Sequence, residues 1–141
     1  MKTSARNCFH GLIASVTPGA VNTEVELRIS DATVLTAMIT NRSALMLEVH
    51  EGQPAFVLIK ASAPILVRDL DGVRLSARNR IDGTVVSLEK GAINTEVVLD
   101  IGGGKTLTTI ITKESSWALE LEPGTRCSAL VKTSQIILGV E

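Results

Sequence analysis

The chain has 141 residues, with 14 Lys+Arg against 15 Asp+Glu and a formal net charge of -1. That balance argues against a general polyanion binder, whose affinity comes from Lys and Arg clustered on phosphates. No run approaches the roughly 18 apolar residues of a membrane-spanning helix. The only aromatic residues are Phe9, Phe56 and Trp117, so stacking on aromatic platforms is excluded as the main binding device. Val, Ile and Thr together number 40, which favours strands. Cys8 and Cys127 have no CxxC spacing and no His at ligand spacing, and they read as two ordinary thiols of a reducing, cytoplasmic compartment.

Taken in chain order, Phe9–Val16 is the first strand candidate. Its apolar start imitates a signal peptide, but it is short, it contains His10, and no small-x-small cleavage pattern follows. Val25, Leu27 and Ile29 alternate with Glu24, Glu26 and Arg28, the pattern of a half-buried strand with one wet face. Leu35, Ala37 and Ile39 repeat it after a turn at Ser30–Thr33. Only Ser43–Val49 and its counterpart in the second half, Ser115–Leu121, read as helices, with Thr40 or Ser43 to cap the first and Gly52 or Gly124 to stop the unit. Ala55–Lys60 is a further strand, and the stretch from Ala63 to Gly72 reads as a connection, with a turn at Arg68–Gly72.

Residue i set against residue i+72 then needs no gap. Ser4-Ala5-Arg6-Asn7 falls on Ser76-Ala77-Arg78-Asn79, and Gly19–Val25 falls on Gly91–Val97 with one Val/Ile difference. Across 69 aligned pairs, 27 are identical. The signal-like segment recurs at Ser76–Ala92, so it belongs to a domain. The pattern predicts an all-β chain of two tandem OB-like, five-stranded Greek-key barrels, each with one short helix, at 1–70 and 71–141. Each repeat is small enough to gain stability from shared interfaces, so the isolated chain is expected not to be a stable monomer.

Several apparent sites dissolve on inspection. Gly102-Gly103-Gly104-Lys105-Thr106 imitates the end of a phosphate-binding loop, but Leu99 stands where that loop needs its first Gly. The other repeat has Ser30–Val34 there, so a hairpin turn is expected. His10 and His50 fall on Asp82 and Glu122, so no histidine site occurs twice, and Glu24 with Glu26 is the solvated side of a strand. No catalytic constellation is found, and the chain is expected not to be an enzyme.

What does recur is a set of anion donors. The first repeat has Ser4, Arg6 and Asn7, then Thr40 and Ser43, then Lys60, Ala61 and Ser62. The second has Ser76, Arg78 and Asn79, then Thr112 and Ser115, then Lys132, Thr133 and Ser134. A small oxyanion needs N–H and O–H donors and one or two fixed cations, and Arg supplies a planar fork where Lys supplies a point charge. Charge-assisted bonds contribute about 1.5–3 kcal/mol each. Four to six of them, less desolvation and ordering, reach micromolar binding, about -8 kcal/mol.

In this order, Ser-Ala-Arg-Asn, Gly-Ala-Val-Asn-Thr-Glu-Val, Ile-Thr-x-x-Ser and Lys-Ala-Ser resemble the Mop domain of the molbindins, and the likeness covers nearly the whole chain in both repeats. The resemblance implies a cytoplasmic protein that binds molybdate, with tungstate as a mimic, for storage and homeostasis. It implies a homo-oligomer, a trimer, with sites between subunits. Ser4, Arg6, Lys60, Ala61 and Ser62 would face Thr40 and Ser43 of another chain. Ser76, Arg78, Lys132, Thr133 and Ser134 would face Thr112 and Ser115 likewise. A second class of site near a threefold axis is assigned to Gly19, Ala20, Val21 and Asn22 and to Gly91, Ala92, Ile93 and Asn94.

The resemblance implies no nucleic-acid or membrane partner, since Ser4 opens the first repeat and leaves no room ahead for a DNA-binding region. Delivery partners would come from the molybdenum-cofactor pathway. Thr133 and Gln135 stand where the first repeat has Ala61 and Ala63, so the two sites are expected to differ. The competing reading is an OB-type protein-interaction or molybdate-sensing adaptor module without catalytic activity.

Overall fold

The computed structural model describes residues 1–141. The first strand, β1 (Asn7–Pro18), is followed by β2 (Asn22–Arg28) and β3 (Val34–Thr40), then by helix α1 (Asn41–Leu47) and strand β4 (Pro54–Ile59). β1, β2 and β3 form an antiparallel meander, and β4 returns to pair with β1. That order is a Greek key. As the alternation requires, Val25, Leu27 and Ile29 are buried and Arg28 is exposed, while Leu35 and Ala37 line the same core.

One strand serves both neighbours because it bends. The register of β1 against β2 shifts between Ile13 and Ser15, a bulge repeated at the equivalent place in the second repeat. A bulge sharpens twist and lets a sheet curl towards closure. At the bend a Cβ on Gly11 would lie 2.1 Å from the carbonyl oxygen of Arg28, and one on Gly83 would lie 2.8 Å from that of Asp100. Only glycine lets the backbones cross so closely, and both repeats keep it.

The chain continues as β5 (Ile65–Val67), β6 (Asn79–Lys90), β7 (Asn94–Gly102) and β8 (Lys105–Thr112), then helix α2 (Lys113–Ala118), β9 (Arg126–Val131) and β10 (Ile136–Gly139). The second sheet repeats the first, with the order β5-β9-β6-β7-β8 against β10-β4-β1-β2-β3. Gly103 and Gly104 have φ of 64° and 72°, which makes the glycine run a tight hairpin between β7 and β8, as expected.

The fifth strand of each sheet comes from the other repeat. β5, which the first repeat encodes, pairs with β9, and β10, which the second encodes, pairs with β4. The compact units are therefore 1–59 with 132–141, and 60–131. Each unit is an OB-like five-stranded barrel. In the first, β10 also packs on β3, the far edge of its sheet. In the second, the carbonyl of Ala61 accepts from Ile110 N at 2.9 Å and from Thr109 Oγ1 at 3.0 Å, which ties the entering segment to β8.

Three expectations shift. The helices begin two residues before Ser43 and Ser115 and stop at Leu47 and Ala118, short of Val49 and Leu121. α1 ends on Glu48 in the left-handed conformation, whose N–H bonds back to Ala44 and Leu45. Gly52 and Gly124 therefore do not stop the helices; their N–H groups bond to the carbonyls of Ile13 and Val85 at the bulges. Finally, the connection from Ala63 contains a strand, Ile65–Val67. No helix is long and apolar enough to cross a membrane.

In the second unit Asp82 of β6 staples its neighbour, accepting from Ser128 Oγ at 2.5 Å and from Arg80 Nε at 2.9 Å. The Ser128 bond first, then the Arg80 bond, hold the Asp82 carboxyl below the ordinary aspartate value. A depressed folded pKa contributes stability that is present above the unfolded value and lost as pH falls through the folded one. Replacing Asp82 by Asn should therefore lower stability at neutral pH. Urea unfolding at neutral pH and in strong acid should show the gap to wild type closing in acid, and a gap independent of pH would refute the assignment.

Candidate functional site

Thr40 and Thr112 cap their helices in the same way. Thr40 Oγ1 accepts from Ser43 N at 3.1 Å and donates to Ser43 Oγ at 2.9 Å; Thr112 and Ser115 repeat this at 3.1 and 2.8 Å. The Thr–Ser spacing thus serves as a helix cap in each unit. With the threonine proton committed, the serine hydroxyl is the group left with a proton to offer outward. The first-turn N–H groups are not all open either. Asn41 N bonds to the carbonyl of Val21, and Lys113 N to that of Ile93.

Those two bonds join the helix start to the Gly-Ala-Val-Asn turn. Gly19 N donates to Asn22 O at 2.8 Å, and Gly91 N to Asn94 O at the same distance. In the first unit Asn41 Nδ2 also donates to Gly19 O at 3.0 Å, and Thr23 Oγ1 to Asn41 Oδ1 at 2.7 Å. The residues expected to form two classes of site, Gly19–Asn22 with Thr40 and Ser43, and Gly91–Asn94 with Thr112 and Ser115, therefore share one end of each barrel. Val21 and Ile93 are both 75% exposed there.

The Lys-x-Ser segments lie where the chain passes between units. Lys60 O accepts from Ala63 N, and Lys132 O from Gln135 N, so both segments turn alike. Through the strand exchange, Lys60, Ala61 and Ser62 belong to the unit that holds Thr112 and Ser115. Lys132, Thr133 and Ser134 belong to the unit that holds Thr40 and Ser43. In the second unit Ser62, Asn94, Thr112 and Ser115 line one cleft of about 580 Å³, walled by Ile65 and Ile110 among others. Within one chain, then, Ser62 meets the helix start of the opposite repeat. Lys60 and Ser62 are exposed, whereas Ala61 is buried and its carbonyl is used by the fold.

Ser4, Arg6, Ser76 and Arg78 are exposed just ahead of β1 and β6. Asn7 pairs with Ile59, the residue before Lys60, and Asn79 with Val131, the residue before Lys132. Asn7 and Asn79 depart from expectation. Each is 2% exposed, and its amide donates to the carbonyl of Ile59 at 3.2 Å or of Val131 at 3.1 Å. Their amides clamp the strands. Duplication preserved them as it preserved the donors, so pattern alone did not separate the two roles.

The helix starts also differ in charge, a feature the sequence reading passed over. α1 has Arg42 in its first turn and no acidic residue, whereas α2 has Glu114 there. Lys113, at the head of α2, holds its ammonium 4.9 Å from the Trp117 ring centre.

The TOBE domain model matches residues 3–66 and again 75–138. The chain is 45% identical over 140 residues to the molybdenum-pterin-binding protein MopA of Rhodobacter capsulatus, covering 99% of this chain and 53% of that protein. It is 40% identical over its full length to the molybdenum transport protein ModE of Herbaspirillum seropedicae, 52% of which is covered. The chain spans about half the length of these relatives. Among solved structures, one of the cytoplasmic molybdate-binding protein ModG, with molybdate bound, superposes over 100% of both chains with a TM-score of 0.96 and 42% identity.

The clamp role makes a direct prediction. Asn7→Ala or Asn79→Ala leaves a strand-end carbonyl without its partner and should cost about 1–3 kcal/mol of stability in urea unfolding. An Asn7→Ala protein as stable as wild type would return Asn7 to the candidate ligands.

Proposed function

Because the chain belongs to the TOBE domain family, as a tandem pair of Mop-type repeats, we propose that it binds molybdate, with tungstate as its mimic, in a storage and homeostasis role without catalysis. The observation that carries this reading is a donor set that the sequence holds twice, part of which lines one cleft of the second unit. In the second unit the hydroxyls of Ser62 and Ser115 share a cleft with Asn94.

The chemistry suits a tetrahedral dianion. Arg6 and Lys60, and in the second copy Arg78 and Lys132, supply positive charge. Ser4, Ser62, Ser76 and Ser134 supply hydroxyl donors, as do Ser43 and Ser115 from the helix caps. No carboxylate belongs to the duplicated set, so nothing in it repels an anion. Such donors bind through charge-assisted bonds, and the duplicated set holds no histidine or carboxylate to act as a general base. The relatives named for molybdenum and the molybdate-bound ModG support the choice of ligand over sulfate or phosphate, and ModG being cytoplasmic supports that compartment.

The protein also works as a homo-oligomer, a trimer, in this proposal. Large apolar side chains are exposed at equivalent positions of both repeats: Val21 and Ile93, Leu45 and Trp117, Ile65 and Ile137, each at least 56% exposed. Contiguous exposed apolar surface marks an interaction site. That the same positions are exposed in duplicate favours self-association, in which neighbouring chains would complete the oxyanion sites.

Native mass spectrometry with molybdate, and with sulfate as control, tests the reading. An oligomer that takes up several molybdates per chain, with sulfate far weaker, is the expected result. Arg6→Ala with Arg78→Ala should weaken uptake by about tenfold or more, from the loss of charge-assisted bonds. A protein that binds no oxyanion would shift the assignment to a protein-docking module.

A further inference from the structure

The outer face of β1 holds a pair of soft donors that the oxyanion reading does not use. The sequence reading gave Cys8 no histidine at ligand spacing, but on a strand Cys8 and His10, two residues apart, leave the same face. Cys8 Sγ and His10 Nε2 are 3.8 Å apart, and both residues are exposed. The His10 ring rests against Phe56, with ring centres 5.5 Å apart and planes inclined by 43°. Phe56 lies opposite His10 in the register and is only 9% exposed, so the imidazole leans on a fixed base. The second repeat shows that the strand itself brings these positions together. There Arg80 and Asp82 replace the pair and form an ion pair of 2.9 Å.

We infer that Cys8 and His10 form a two-coordinate site for a soft monovalent metal ion, cuprous copper being the physiological one. Metal–nitrogen and metal–sulfur bonds of roughly 2.0–2.3 Å span up to about 4.3 Å when the metal lies between its donors. The observed separation falls just inside that reach, and a small side-chain rotation opens it. Thiolate selects soft ions and imidazole suits copper. Coordination number then chooses among the metals. Zinc requires four ligands, and no group of three His, Cys, Asp or Glu residues gathers anywhere in the chain. A closed-shell monovalent ion is satisfied by two. Cys127 is 6% exposed and offers no competing surface thiol. On binding, the thiol proton leaves to solvent and the ion keeps its oxidation state.

The test is anaerobic titration of the reduced protein with Cu(I) buffered by bicinchoninate, whose coloured complex reports the copper it retains. Wild type should withhold one equivalent per chain. Cys8→Ser should withhold none, and His10→Gln should bind more weakly by about tenfold or more. Both side chains are exposed, so the variants should keep the wild-type fold by circular dichroism. X-ray absorption of the loaded protein should show one sulfur and one nitrogen on copper. Wild type surrendering all its copper, His10→Gln binding as tightly as wild type, or a shell of two sulfurs from paired chains would each overturn the site.

Discussion

The exchange of fifth strands is the constraint on which the rest of the structure depends. A four-stranded Greek key of this length leaves β4 with an unpaired edge, and an open edge is a site of uncontrolled pairing. Here β4 and β9 are each covered by a short strand that the other repeat encodes. To make that exchange the chain must leave one unit after Ile59 and re-enter it at Lys132. The Lys-x-Ser segments are those two passages. Their conformation follows from topology, since each must turn at once, as the Lys60–Ala63 and Lys132–Gln135 bonds show, and then lie down as a strand. The turn therefore comes from the path of the chain and is closed by its own backbone hydrogen bond in each copy.

Much of this was legible in the residues, and the reasons differ by element. Val25-Leu27-Ile29 and Leu35-Ala37 announce themselves because one face is wet and the other dry, which fixes a period of two. The Greek key followed from strand count and the absence of room for crossover helices. Ile65–Val67 was not legible. It has three residues, follows Pro64 and precedes a turn, and so it lacks the length over which alternation becomes a signal. The exchange was invisible for a deeper reason. Two repeats with equivalent edges satisfy the same hydrophobic pattern whether the fifth strand pairs in its own repeat or the other, and only the path of the intervening chain decides.

The candidate site was legible as a list but not as an arrangement. Duplication identifies residues that a repeat retains, and it retains structural and ligand-facing groups alike. Asn7 and Arg6 are neighbours, both kept, yet the first is buried in a clamp and the second is exposed. Thr40 and Thr112 have a structural task of their own, holding the helix starts through their hydroxyls, which leaves Ser43 and Ser115 better placed as donors. The grouping of Ser62 with Thr112, across repeats, follows from the exchange and from nothing local.

The places where the repeats differ are as informative as those where they agree. On the barrel end that carries the caps and the Gly-Ala-Val-Asn turn, the turn and the Thr-x-x-Ser caps are nearly identical, although the residues between and after the caps differ, Arg42 against Glu114 and Leu45 against Trp117. On the outer face of β1 and β6, Cys8, His10 and Phe56 stand opposite Arg80, Asp82 and Ser128 with no chemistry in common. Both trios are nevertheless internally consistent. In one, a ring packs on a ring beside a thiol; in the other, a carboxylate takes bonds from a guanidinium and a hydroxyl. A duplicated barrel can hold the turn and caps of one end constant because they bond to one another, while the other face diverges under a single requirement, that neighbouring strands satisfy each other's side chains. The fold tolerates that divergence because β1 and β6 owe their shape to a bulge and a glycine, which are kept, and not to the residues that point outward.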